Sequence, residues 1–294
     1  MAHLFSHTTP RDLGILRAAV FGIWLIVLFF SPFTSYAYLP TELYEPLGIF
    51  RLFLQPESTF TKVVLTEPFL FFMKMALLAG CFFCMIGVKG YRWVVIPTVM
   101  LLFLADGITK GFNGYVNHAE LVVLYSAFLL TIFPVADGFS LFKNKPGKER
   151  NVEEYRFALL SIAVVLCLTY TFIAVHRFLY GGFIQFSNHA MEIHLLRNTL
   201  EYSKWGFELG LVVVSNIWLL TLFKAGFFAL TIFEAFSLFI LVNKPFRILW
   251  LCVMIPFHIL SLLTMNIFFW ENLVLIGVLF LVVPYVGGEV KRQK

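Results

Sequence analysis

Apolar residues run along this chain in continuous blocks of about twenty, separated by short polar breaks. A block of that length is what a helix needs to cross a hydrocarbon layer of ~30 Å. On this criterion the pattern predicts spans at residues 13–33, 67–88, 92–109, 118–142, 156–175, 225–243, 246–268 and 271–285. Residues 206–223, GFELGLVVVSNIWLLTLF, are also apolar enough to cross. Membrane β-strands would give short alternating segments instead. The expected fold class is therefore all-α: a polytopic integral membrane helical bundle of eight transmembrane helices, with nine as the alternative.

Two polar intervals interrupt the pattern. Residues 34–66 are rich in proline and aromatics, and residues 177–205 carry apolar positions at Met191, Ile193, Leu195, Leu196 and Leu200 interleaved with charge. The second reads as a short amphipathic helix lying on the membrane face. No repeat, low-complexity tract or soluble segment stands out, so residues 1–294 are expected to form one membrane domain without a soluble C-terminal domain.

Composition agrees with the periodicity: 60% of the 294 residues are hydrophobic and 13% charged. The net charge of +5 sits at predicted helix ends, which suits topology and gives no indication of nucleic-acid binding. Lys89 and Arg92, then Lys143, Lys145, Lys148, Arg150 and Arg156, then Lys244 and Arg247, then Lys291, Arg292 and Lys294 form four basic clusters. Placing all four in the cytoplasm gives eight spans with both termini cytoplasmic. A crossing at 206–223 would move Lys244 and Arg247 outside, so a re-entrant or surface-lying segment is preferred there. The first block is long enough to span and is read as a retained helix, although Ser35-Tyr36-Ala37 resembles a cleavage site. Cys81, Cys84, Cys167 and Cys252 lie within apolar runs and read as buried small hydrophobes, the CxxC spacing of the first two notwithstanding.

The polar residues inside or beside the apolar blocks are the candidates for chemistry. Asn117, His118 and Glu120 stand at the threshold of the fourth span, and His176 and Arg177 at the exit of the fifth. The expected topology puts these ends on one outer face. His189 and His194 follow in the next loop. Histidine titrates near neutrality, so several beside an apolar cavity suit proton chemistry on a lipophilic substrate. Anchoring in the headgroup layer is the simpler reading of His176, His189 and His194. Deeper in the blocks lie Arg17, Lys74, Asp106, Lys110, Glu234 and His258. A buried carboxylate needs a partner, and Arg17 or Lys74 is the expected partner of Glu234. The spacing of His189, Glu192 and His194 does not put both histidines on one helical face, so no metal site is expected. Phosphate-binding loops, GxSxG and HExxH are absent from the sequence.

Four stretches together resemble the HTTM domain family, which shares its membrane portion with vitamin K-dependent γ-carboxylases. DLGILRAAVFGIWLIV is similar to the family's first helix, with Arg17 at its arginine position. VNHAELVVLYSAFLLTIFPVADGFSL is similar to the asparagine-histidine opening, long helix and terminal Ser-Leu. YTFIAVHRFLYGG resembles the segment in which the family carries an aromatic, a small residue and a lysine. The stretch from LTIFEAF to ENLVLIGVLFL resembles the helix pair with an acidic residue and the later Phe-His. The resemblance implies a cavity on the extracytoplasmic side and reduced vitamin K, or another quinone, as cofactor. In the carboxylases a lysine deprotonates the reduced vitamin, oxygen reacts, and the strong base so formed takes a γ-proton from a peptide glutamate to which CO2 adds. His118 and His258 fall at the family's two histidines.

At the lysine position this chain has Arg177, preceded by His176, and Phe142 stands where an aspartate often follows the Ser-Leu. A guanidinium stays protonated and is no general base. The resemblance therefore assigns proton handling to His118, His258 and His176, anion or oxyanion holding to Arg177, and cofactor contact to Asn117, Glu120 and Glu234. Membrane lipids and a small secreted peptide are the implied partners. The competing readings are a non-catalytic membrane factor for maturation, export or immunity of a secreted peptide, and a lipid or quinone carrier.

Overall fold

The computed structural model describes residues 4–5, 8–114, 118–135, 137–141, 151–201 and 205–284, and every regular element in them is helical. In chain order these are α1 (Pro10–Phe30), α2 (Thr59–Val64), α3 (Glu67–Ile86), α4 (Tyr91–Asn113), α5 (His118–Ile132) and α6 (Val152–His176). Then come α7 (Ile184–Ser187), α8 (Ala190–Leu200), α9 (Leu209–Ser215), α10 (Ile217–Ala235), α11 (Lys244–Met265) and α12 (Trp270–Gly277). Five-residue π turns extend α6 (Arg177–Gly181) and α12 (Val278–Val282). Among the described residues, six helices are long and apolar enough to cross a membrane: α1, α3, α4, α6 with its π turn, α10 and α11. They are compatible with a multi-pass integral membrane protein.

One of the eight expected spans is shorter than the hydrophobic pattern indicated. The fourth, expected over 118–142, stops at Ile132, because Pro134 lacks an amide hydrogen and disfavours helical backbone at Phe133. The eighth is helical from Trp270 and passes into its π turn at Val278. The sixth begins earlier than the expected 225. The Asn216 side chain accepts from the amides of Trp218 and Leu219 at 3.0 and 3.2 Å and starts α10 there. The same asparagine breaks the 206–223 stretch. Its first half is the seven-residue α9, only ~10 Å long at 1.5 Å per residue. A continuous ninth span is therefore not formed. The basic clusters at 143–150 and 291–294 lie outside the described residues.

The chain divides into two compact units, one of residues 7–162 and 274–294, the other of residues 1–6 and 163–273. In the first, α1 packs on α3 and α5, and α3 on α4. Gly80 permits the second contact, since a Cβ there would lie 2.3 Å from Thr98 Oγ1. Arg17, fully buried, closes this unit. Its guanidinium donates to the carbonyls of Val135 (2.7 Å), Phe139 (2.5 Å) and Met85 (3.4 Å), with Tyr91 across from it at 5.8 Å. Gly87 makes room, with φ of 70° and the guanidinium where a Cβ would be. Residues 33–52, wound in three 3-10 turns, set the Phe50 ring on Gly107 and the Tyr44 ring on Gly111 of α4.

In the second unit α8 buries Met191, Leu195 and Thr199. Met191 and Leu195 pack with Val213 of α9 and Leu220 of α10. Gly210 lets α9 close in, because a Cβ there would sit 2.3 Å from the Thr264 carbonyl and 2.4 Å from Thr199 Oγ1. Between α10 and α11 the chain makes a 3-10 turn, Ser237–Leu241, before Asn243 caps α11 through the Phe246 amide at 2.9 Å.

Candidate functional site

The buried polar groups of the second unit gather around the C-terminal half of α6. Tyr170 and Arg177 lie seven residues apart, two helical turns, and therefore near one face. Tyr170 turns to α11. Its hydroxyl lies 2.7 Å from His258 Nε2, and its ring stands edge-on to Trp250 at 5.5 Å. Trp250 Nε1 in turn donates to Ser237 Oγ at 3.0 Å. Trp250, Met254 and His258 recur every four residues, so one buried stripe of α11 carries both aromatic contacts.

His258 is 2% exposed, with Phe257 and Phe269 rings 5.2 and 5.7 Å away. Its Nδ1 is buried and has no hydrogen-bond partner. A neutral imidazole carries one donor and one acceptor, and a phenol can do either. The Tyr170–His258 hydrogen bond can thus run in either sense, with Nδ1 as the remaining valence for a third group.

Arg177 faces α10. Its guanidinium forms an ion pair with Glu234, donates weakly to Thr231 Oγ1 at 3.4 Å, and lies 4.8 Å from the centre of the Phe227 ring. Phe227, Thr231 and Glu234 follow at spacings of four and three on α10, so one stripe presents all three. Glu234 is 1% exposed, and a carboxylate so deep is tolerated because the cation meets it directly. The expected partner was Arg17 or Lys74. Arg17 is instead held by backbone carbonyls, and Lys74 donates to the Ser31 carbonyl at 2.7 Å. Arg177 opens the π turn, a geometry that concentrates at functional positions in helices.

Beside this cluster α9, α10 and α11 enclose a groove of about 790 Å³. Ligand pockets run from about 300 to 1,000 Å³. Its walls include Leu222, Phe223 and Phe227 of α10 and Pro256, Phe257 and Leu260 of α11, with Cys252, Ser261 and Thr264 as polar points. Gly226 also lines it, and a Cβ there would meet nothing within 4 Å.

No family model, curated protein or solved structure matches the chain. The candidate site therefore rests on its own geometry. Of the residues singled out in the sequence, Arg177, Glu234 and His258 belong to this unit and to its buried network. His176 belongs to the same unit but is exposed, its ring against Tyr180 at 4.4 Å. His189 and His194 are exposed as well, with His189 Nδ1 3.1 Å from Glu192. His118 and Glu120 open α5 in the other unit. Asn117 and the His118 side chain lie outside the described residues. Tyr170, Thr231 and Trp250 were not anticipated. Tyr170 sits in CLTYTF, where an aromatic reads as ordinary packing, and only its seven-residue offset from Arg177 marks it.

Proposed function

We propose that this chain is an HTTM-like membrane protein, related to the membrane domain of vitamin K-dependent γ-carboxylases. On this reading it holds a quinone- or lipid-sized molecule in the α9–α10–α11 groove and carries proton chemistry beside it. One observation supports the reading above the others: Phe227 is both a wall of the groove and the ring beneath the Arg177 guanidinium. A single aromatic ring thus separates a large apolar volume from an ion pair whose carboxylate is buried. Apolar walls and a volume in the ligand range suit an isoprenoid or acyl tail.

Reduced vitamin K or another quinone, when bound, would supply the redox chemistry. The residues of the chain have narrower tasks. Tyr170 orients the His258 ring through Nε2, and His258 Nδ1 is the open valence at which a proton would be taken or given. Arg177, already paired with Glu234, positions that carboxylate and is a poorer holder of a free oxyanion than the resemblance implied. His118, with Asn117 and Glu120, is retained as a second proton-handling group by resemblance, on an extracytoplasmic face with both termini cytoplasmic.

The test is direct. The purified chain in nanodiscs, given reduced vitamin K, oxygen and bicarbonate, is expected to form epoxide, and His118→Ala to abolish it. A well-folded sample that forms none overturns the carboxylase-like reading. Gly226→Phe fills the groove, so it is expected to weaken quinone binding at least tenfold. Unchanged binding would place the ligand elsewhere.

A further inference from the structure

The first unit holds a second buried charged group, independent of the groove and of everything proposed for it. Lys110 and Asp106, one turn apart on α4, have side chains 6% and 3% exposed, and Nζ lies 2.5 Å from Oδ2. Only that carboxylate oxygen is used. Asp106 Oδ1 is buried without a partner, and so is the hydroxyl of Tyr44. The 33–52 segment lies over the same end of α4: the Tyr44 ring is on Gly111, the Phe50 ring on Gly107, and the Glu45 amide donates to the Gly111 carbonyl at 3.0 Å. Phe112 is stacked on Tyr36 at 5.2 Å and tilted against Tyr44 at 5.1 Å. Water from bulk does not wet these atoms.

What fits there is set by donor and acceptor chemistry. A carboxylate only accepts, and an ammonium only donates. A ligand touching both must donate to Asp106 Oδ1 and accept from Lys110 Nζ. A metal or ammonium ion cannot accept from the lysine, and a ketone or quinone carbonyl cannot donate to the aspartate. A hydroxyl does both on a single atom, as the closeness of the two charged groups demands. We infer that this end of α4 is a binding site for a hydroxyl group, held between Asp106 and Lys110. The hydroxyl comes from water or from an amphiphile. Lys110 lies in the last turn of a helix long enough to span, the level at which lipid hydroxyls are found.

The experiment is a map of the full chain in nanodiscs, fine enough to show ordered water, with and without added long-chain alcohol. Density within hydrogen-bond distance of both Asp106 Oδ1 and Lys110 Nζ is expected. A compact peak unchanged by the alcohol identifies water. A peak continuous with a tail, together with a higher melting temperature on adding the alcohol, identifies an amphiphile. The doubly neutral variant Asp106→Leu with Lys110→Leu removes the pair without leaving a lone charge, and it should lose the peak and any alcohol-dependent shift. Absence of density in the wild-type map, or Asp106 Oδ1 bonded to a protein group, overturns the assignment.

Discussion

At the scale of single residues, Glu234 and His258, which stand out in the apolar blocks, are each buried against a partner from a distant part of the chain. Glu234 meets Arg177 across 57 residues of sequence, and Tyr170 meets His258 across 88. Burying a charge beside its counterion costs far less than stranding it. Arg177→Met is therefore expected to destabilise the folded protein by about 3 kcal/mol, the lower end for a buried pair because the guanidinium is partly exposed. Arg177→Met combined with Glu234→Met should recover most of that loss, as measured by chemical denaturation in detergent. Equal losses in the single and double variants would show that the pair contributes nothing specific. That Glu234 needs a partner was legible in the sequence. Which partner was not, since Arg17, Lys74 and Arg177 all lie in or beside apolar blocks.

The helices themselves are bounded by local chemistry that hydrophobic averages pass over. Asn216 and Asn243 cap α10 and α11 through side-chain oxygens, and Pro134 follows the last turn of α5. Neither Asn216 nor Pro134 interrupts a hydropathy window for long, which is why the apolar stretches 206–223 and 118–142 run past them, whereas Asn243 coincides with the expected end of the sixth span. Two glycines in one unit should respond oppositely to alanine. At Gly210 a Cβ meets the Thr264 carbonyl and Thr199 hydroxyl, so Gly210→Ala should cost about 1–3 kcal/mol by forcing α9 away. At Gly226 a Cβ meets open space, so Gly226→Ala should be neutral or stabilise by about 0.5–1 kcal/mol through helix propensity. Thermal melting of the two variants checks both signs.

The contact between α8 and α10 adds a dependence on pH. Lys224 Nζ lies 2.8 Å from Glu192 Oε1, and His189 shares the same oxygen. Burial works against ionisation of Glu192, but Lys224 and His189 outweigh it and hold the carboxyl below its ordinary value of 4.5. A depressed carboxylate contributes stability that is present above that ordinary value and is lost as pH falls through the folded one. Hydrogen exchange in α8 should therefore accelerate on acidification below about pH 4.5, and Glu192→Gln should flatten the response.

At the scale of the molecule, six helices of spanning length are joined, among the described residues, by two shorter apolar ones. The proposed topology, with both termini cytoplasmic, is tested by reporter tags that are silent outside the cytoplasm. Activity from a tag at each end is expected, and a silent C-terminal tag would mean an odd number of crossings. The break at Asn216 removes the main reason to expect nine.

The helical class and the approximate places of six spanning helices follow from the sequence alone, because hydrophobic length is a local property that any window of the chain reveals. So does the identity of most polar residues that matter, since a charge in an apolar block is conspicuous wherever it points. Tertiary structure decided the rest. Partner choice depends on helix rotation and packing, which join residues far apart in sequence: Arg177 to Glu234, Tyr170 to His258, Arg17 to the carbonyls after α5. The groove exists only because α9, α10 and α11 meet around it. The unfilled valences of His258, Asp106 and Tyr44 likewise become visible only once burial has removed water from their reach.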